Sequence, residues 1–153
     1  VSDHGKILGE FGHYGMPPQD TGPALNDVPC LLRHPAGKLA GTVYDGWIYN
    51  TDLVATMLGL MEEGDKSGMD GLDVWSAMAQ GESVREVAVT AHGPMVAAWR
   101  GDWLYLKDTE KGTAALYDLG RDVQRRRDVA GQHPGVVREL AQAMAEAEAG
   151  NGR

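Results

Sequence analysis

Between Glu86 and Tyr117 the chain presents four short β-prone runs, Glu86 to Ala91, Met95 to Trp99, Trp103 to Lys107 and Ala114 to Tyr117. The breaks between them are His92-Gly93-Pro94, Arg100-Gly101-Asp102 and Asp108 to Gly112, all rich in turn formers. A parallel crossover needs about a dozen residues or more, so connections this short join antiparallel neighbours. Such a sheet leaves a face to be covered, and the next periodic stretch can cover it. Pro134 suits the first turn of a helix, and Val137, Leu140, Ala141, Met144 and Ala145 fall on one apolar stripe. The opposite face of that helix is charged, and its end, Gly150 to Arg153, is expected to fray.

The first half reads differently. Residues Gly5 to Asp27 are loop-like, with glycines at 5, 9, 12, 15 and 22 and prolines at 17, 18 and 23. A loop this long inside a compact domain is usually functional or disordered. The apolar run Val28 to Arg33 predicts a short buried strand of the parallel-sheet kind, ended by His34-Pro35-Ala36-Gly37. A helix follows, capped by Asn50, Thr51 or Asp52, with Leu53, Met57, Leu60 and Met61 on one face and Gly64 as its stop. A shorter helix is predicted over Asp73 to Gln80, with Gly81 placed to take the left-handed conformation beyond it. The fold class is therefore α/β: residues 1–82 alternate strand and helix, and residues 83–153 form an antiparallel sheet packed against a C-terminal helix. The boundary falls near Gly81 to Ser83.

Composition removes several function classes. A chain of 153 residues supports one core, or a small core with an appended subdomain. No apolar run nears the roughly 20 residues of a membrane span, so no membrane partner is expected. A net charge of -8 argues against nucleic acid, whose phosphates require clustered Lys and Arg. The run Arg125-Arg126-Arg127 lies between Asp122 and Asp128 and reads as a solvated loop. A single cysteine excludes an internal disulfide, and Cys30, inside the apolar run, reads as a buried thiol. Val1 opens directly on Ser2-Asp3-His4-Gly5, with no initiator Met and no secretory leader, so the sequence is expected to start in mid-structure. The missing leader then leaves the compartment unknown, cytoplasmic or periplasmic.

Asp3-His4-Gly5 sets a hard carboxylate oxygen beside an imidazole nitrogen and follows them with a residue that lets the backbone turn. The pairing suits a divalent metal, although an unrelated turn has the same tripeptide. Zn²⁺ takes about four donors and Ca²⁺ about six to eight, so any further ligands lie outside the pair. His13, in Phe11-Gly12-His13-Tyr14-Gly15-Met16, is either a contact to metal or leaving group or an ordinary surface histidine. His34, His92 and His133 sit at turns or caps, and His92 is the one whose loop could face a cleft. There is no phosphate-binding glycine loop of the nucleotide kind and no Gly-x-Ser-x-Gly elbow.

Taken in order, these segments resemble the C-terminal half of sulfatases, in the alkaline phosphatase superfamily. Ser2-Asp3-His4-Gly5 and Leu8-Gly9-Glu10-Phe11-Gly12-His13-Tyr14-Gly15 look like the family's strand-end metal motif and glycine-rich active-site loop. Val28-Pro29-Cys30-Leu31-Leu32-Arg33 looks like the next core strand. Asn50 to Leu58 is similar to the "D-hydrophobic-x-P-T-hydrophobic" helix, with Ala55 at the proline position. Asp70-Gly71-Leu72-Asp73-Val74-Trp75 resembles "D-G-x-S-L", with Asp73 at the serine. Trp99 to Tyr105 is similar to the "R-x-x-W-K-hydrophobic" strand, with Leu104 at the lysine. Leu116-Tyr117-Asp118-Leu119 with Asp122 looks like the "L-Y-D-L-x-x-D-P" corner, with Val123 at the proline.

The resemblance implies a metal-dependent sulfuric ester hydrolase acting on a sulfate-ester small molecule or glycan. Asp3 and His4 would be metal ligands, and His13 a substrate-binding or catalytic proton-transfer residue. The cofactor would be a divalent metal, calcium by the family, with manganese or zinc open because of the Asp-His pair. Asp-His is shared with phosphonate and phosphate ester hydrolases of the superfamily, which keeps a phosphodiester or phosphonate monoester hydrolase open; a metal-free interaction module is the alternative from another class. The family's C/S-x-P-x-R nucleophile motif and first metal aspartates are not in this sequence. The chain is therefore expected to be inactive alone and to partner with an N-terminal part of the same protein or with further copies of itself. Phe11 stands where the family often has His, and Met16 where it often has Lys. A thioether cannot supply the charge that holds a sulfate oxygen. Either His13 substitutes, or substrate binds differently, or the site is degenerate.

Overall fold

A computed structural model describes residues 1–62 and 68–150. The expected stop at Gly64 and the tail after Gly150 lie outside the described residues. In chain order the elements are β1 (Ile7–Leu8), β2 (Tyr14–Gly15), α1 (Pro23–Asn26), α2 (Asn50–Leu60), α3 (Trp75–Gln80), β3 (Ala88–His92), β4 (Met95–Arg100), β5 (Trp103–Asp108), β6 (Thr113–Asp118) and α4 (Pro134–Glu148). The described residues divide into two compact units, residues 1–30 with 87–150, and residues 31–62 with 68–86. None of the helices among the described residues is long and apolar enough to cross a membrane.

The first unit is built on the antiparallel sheet β3-β4-β5-β6. Its strands follow the four β-prone runs, because each break supplies a tight turn and the alternation sorts two faces. Val89, Ala98, Tyr105 and Leu116 lie side by side across the ladders, on one face. Leu140 and Met144 of α4, both buried, complete the core there with Val96, and Trp103, Val136 and Val137 pack at its margin. Full burial of a side chain of this size contributes about 1.5–3 kcal/mol. The α4 stripe is therefore the predicted one at its centre, while Ala145 at its end is exposed.

The opposite face carries Ala97, Trp99, Leu104 and Leu106, which are also buried. Thr90 is the cross-strand neighbour of Ala97 on this face, and its hydroxyl accepts a hydrogen bond from Asn26 Nδ2 at 3.1 Å. The N-terminal segment is thus tied to the sheet. That segment is more ordered than its glycines and prolines suggest: β1 and β2 pair antiparallel, and Ile7 and Leu25 are buried.

The second unit is organised by a buried charge rather than by a hydrophobic stripe. Asp52, with no exposed surface, accepts two hydrogen bonds from Arg85: Nη1 to Oδ2 at 2.6 Å and Nη2 to Oδ1 at 2.8 Å. The amides of Tyr49 and Leu72 donate to the same carboxylate at 2.7 and 2.8 Å. One turn on, Thr56 Oγ1 accepts the Val74 amide at 3.0 Å. Anchoring Asp52 and Thr56 rotates α2, so its buried residues are Asp52, Leu53, Ala55 and Thr56, while Met57 and Met61 are exposed. The predicted face of Leu53, Met57, Leu60 and Met61 is corrected accordingly. At the end of α3, Gly81 adopts φ 70° and the Glu82 amide closes back on the Ala77 carbonyl, as predicted.

One further expectation fails. Val28 to Arg33 belongs to no sheet among the described residues, Leu31 is 91% exposed, and Cys30 is exposed rather than buried. An apolar run becomes a buried strand only where neighbouring strands take its N–H and C=O groups, and none of the described strands pairs with it.

Candidate functional site

The turn carrying Asp3 and His4 is positioned by Gly5, whose amide donates to the Leu25 carbonyl at 2.7 Å. A side chain at residue 5 would place its Cβ 2.0 Å from the Ala24 carbonyl oxygen, so the close approach requires glycine. The sequence Asp-His-Gly thus has a mechanical reason for its third residue.

Within the turn the two side chains converge. Asp3 Oδ1 accepts the His4 amide at 3.0 Å and the Ser2 hydroxyl at 3.3 Å, and Oδ2 lies 3.5 Å from His4 Nε2. The His4 amide, then Asp3's own amide and the His4 ring, hold the Asp3 carboxyl below its ordinary range. His4 Nδ1 lies 2.8 Å from the Gly5 carbonyl, which can only accept. In the neutral ring Nδ1 therefore carries the proton and Nε2, 3.5 Å from the Asp3 carboxylate, carries the lone pair. An oxygen and a nitrogen donor face one exposed point, with the imidazole oriented by a backbone acceptor as metal-ligating histidines usually are. The donor set fits part of a divalent-cation site. Among the described residues no group of three or more His, Cys, Asp or Glu side chains comes together.

His13 lies between the short 3₁₀ turn Glu10–Gly12 and β2. The structure joins it to a residue that sequence reading passed over. Its Nδ1 is 2.5 Å from Oδ2 of Asp20, whose side chain is only 6% exposed while the histidine's is 43% exposed. Arg125, expected in a solvated loop, is instead drawn inward. Its guanidinium stacks 4.1 Å from the Phe11 ring centroid and donates to the carbonyls of Thr21 at 2.9 Å and Asp20 at 3.4 Å. Burial lowers the Arg125 pKa, opposed by the negative charge of Asp20 and by Tyr117. No periodicity marks Asp20 or Arg125; the one signal available was a carboxylate within a glycine- and proline-rich loop a few residues after a histidine. The other histidines serve packing or turns: His34 lies against Trp75 at 5.3 Å, His133 against Trp103 at 4.7 Å, and His92 ends β3, exposed.

No protein-family model and no curated protein matches the chain. Solved structures do match. One, labelled BT33336S-sulf and described with a versatile core genetic locus that orchestrates metabolism of multiple glycosaminoglycans by Bacteroides thetaiotaomicron, aligns with a TM-score of 0.53 and 22% identity. The alignment covers 64% of this chain and 24% of that one. Ps i-CgsB, alone and in complex with k-i-k-neocarrahexaose, aligns with a TM-score of 0.49 and 18% identity over 62% of this chain and 23% of its own. The chain spans about a quarter of the length of these proteins. At such identity the likeness is one of fold.

Proposed function

We propose that this chain, which shares the fold of part of a sulfatase, is the C-terminal portion of a metal-dependent sulfuric ester hydrolase of the alkaline phosphatase superfamily. The observation that carries the reading is the convergence of Asp3 and His4 on one exposed turn, with His4 Nε2 left as a donor beside the carboxylate. Asp3 and His4 hold a divalent cation, calcium or, given the Asp-His pair, manganese or zinc, together with ligands from the rest of a longer polypeptide. A cation there supplies Lewis-acid stabilisation of charge developing on the ester oxygens. His13 contributes a half-exposed imidazole able to contact the substrate or move a proton at its ring nitrogen. The likeness to the Bacteroides protein, which is tied to a locus for the metabolism of multiple glycosaminoglycans, supports a sulfated glycan as substrate. The chain by itself lacks a C/S-x-P-x-R nucleophile motif and is inactive.

The test is hydrolysis of paired aryl sulfate, phosphodiester and phosphonate monoester substrates by the full-length protein with each metal. Preference for the sulfate supports the reading. Preference for phosphorus esters instead favours the second reading, a phosphodiester or phosphonate monoester hydrolase, to which the Asp-His pair points. Calorimetric titration with Ca²⁺, Mn²⁺ and Zn²⁺ that detects no binding would leave a metal-free interaction module.

A further inference from the structure

We infer that Asp20 is a positioning residue for His13, fixing the imidazole with its proton on Nδ1 so that Nε2 is the atom presented for proton acceptance from a bound substrate or water. The inference rests on the hydrolase reading for its role, but on geometry for its substance. A carboxylate accepts hydrogen bonds, so a contact of 2.5 Å between Asp20 Oδ2 and His13 Nδ1 puts a proton on Nδ1 and, in the neutral ring, leaves the Nε2 lone pair as the outward function. The burial is asymmetric in the way such a pair needs: the orienting carboxylate is 6% exposed and the ring it orients 43% exposed. Asp20 is itself held by the chain, since its amide donates to the Pro17 carbonyl at 3.0 Å within the 3₁₀ turn Pro18–Asp20. Arg125 adds a fixed cation beside it, donating to the carbonyls of Thr21 and Asp20 and stacked on Phe11. A surface histidine satisfied by chance would not be expected to find a buried carboxylate braced by an arginine from more than a hundred residues away. The arrangement resembles the base-and-orienter half of a proton-transfer site, in which the third group sets the tautomer.

The experiment is histidine ¹⁵N NMR on the whole chain near neutral pH. His13 is assigned among the 5 histidines by its disappearance in His13→Gln. The expected spectrum has His13 protonated on Nδ1, with that proton far downfield. Asp20→Ala is expected to release the tautomer, moving protonation to Nε2. Asp20→Asn, which keeps an acceptor of the same shape, is expected to retain the Nδ1 proton but move it upfield. A wild-type His13 protonated on Nε2 alone overturns the proposal, as does an Nδ1 proton unmoved by both substitutions. Should Asp20→Ala not fold, the wild-type and Asp20→Asn spectra still decide. In the full-length protein, Asp20→Asn is expected to lower kcat about tenfold or more with KM little changed, and an unchanged kcat overturns the positioning role. A full-length protein that hydrolyses none of the esters, yet shows the Asp20-dependent tautomer, sinks the hydrolase reading while upholding the dyad.

Discussion

Asp52 has no exposed surface, and everything around it is arranged to keep its charge. Burial pushes its carboxyl up, but the hydrogen bonds from Arg85 and from the Leu72 and Tyr49 amides outweigh that and hold it below the ordinary range. A depressed carboxyl stabilises the fold fully above the unfolded value, about 3.9, and loses that contribution as pH falls through the lower folded value. Urea midpoints measured from pH 6 down to 3 should therefore fall more steeply for the wild type than for Asp52→Ala. At neutral pH the same substitution leaves Arg85 buried and unpaired, and should cost about 3–5 kcal/mol in the unfolding free energy. A loss below about 1 kcal/mol, the range of exposed ion pairs, would mean that solvent reaches the pair. Gly5 makes a residue-scale prediction for the site. Gly5→Ala must displace the turn, because its Cβ would lie 2.0 Å from the Ala24 oxygen. Divalent-cation affinity of the full-length protein, read by calorimetry, is expected to fall about 10- to 100-fold, the range seen when groups that orient ligands are removed.

The elements differ in what decides which way they face. In α4 the apolar stripe and the sheet agree, so Leu140 is wholly buried against Ala98, Tyr105 and Leu116. Leu140→Ala should cost about 2–5 kcal/mol by denaturant titration of the fluorescence of Trp99 and Trp103. Leu31, 91% exposed, has no such contacts, and Leu31→Ala should stay within about 0.5 kcal/mol. Equal losses at the two positions would contradict the described core. In α2, by contrast, polar anchors at Asp52 and Thr56 override the methionines that share its apparent apolar face. The hydrogen bonds to Asp52 and Thr56 outweigh the burial of two flexible thioethers, because leaving a charged donor or acceptor unpaired costs more than exposing Met57 and Met61.

At the scale of the molecule, the chain exposes the adjacent apolar side chains Leu31 and Leu32, and Val43 beyond them. Exposed apolar surface of this kind marks a binding face or a tendency to associate. Sedimentation of this chain alone should show self-association that increases with concentration and weakens in a Leu31→Asp, Leu32→Asp double variant. A monodisperse wild-type monomer at all concentrations would count against an uncovered face.

The antiparallel sheet, its turns and α4 were legible in the sequence because all three are local: close turns force neighbouring strands together, and a helical stripe needs only one face to meet. The adjacency of Asp3 and His4 is plain in the sequence, but the convergence of their side chains is decided by the turn that Gly5 makes against Leu25. Only the tertiary structure joined Asp20 to His13, drew Arg125 onto Phe11, and matched Arg85 to Asp52 across 33 residues. Those pairings follow from where long side chains find buried complements, and no period in a sequence encodes that. The fate of Val28 to Arg33 belongs with them, because hydrophobicity can nominate a strand but only neighbouring strands can make it one.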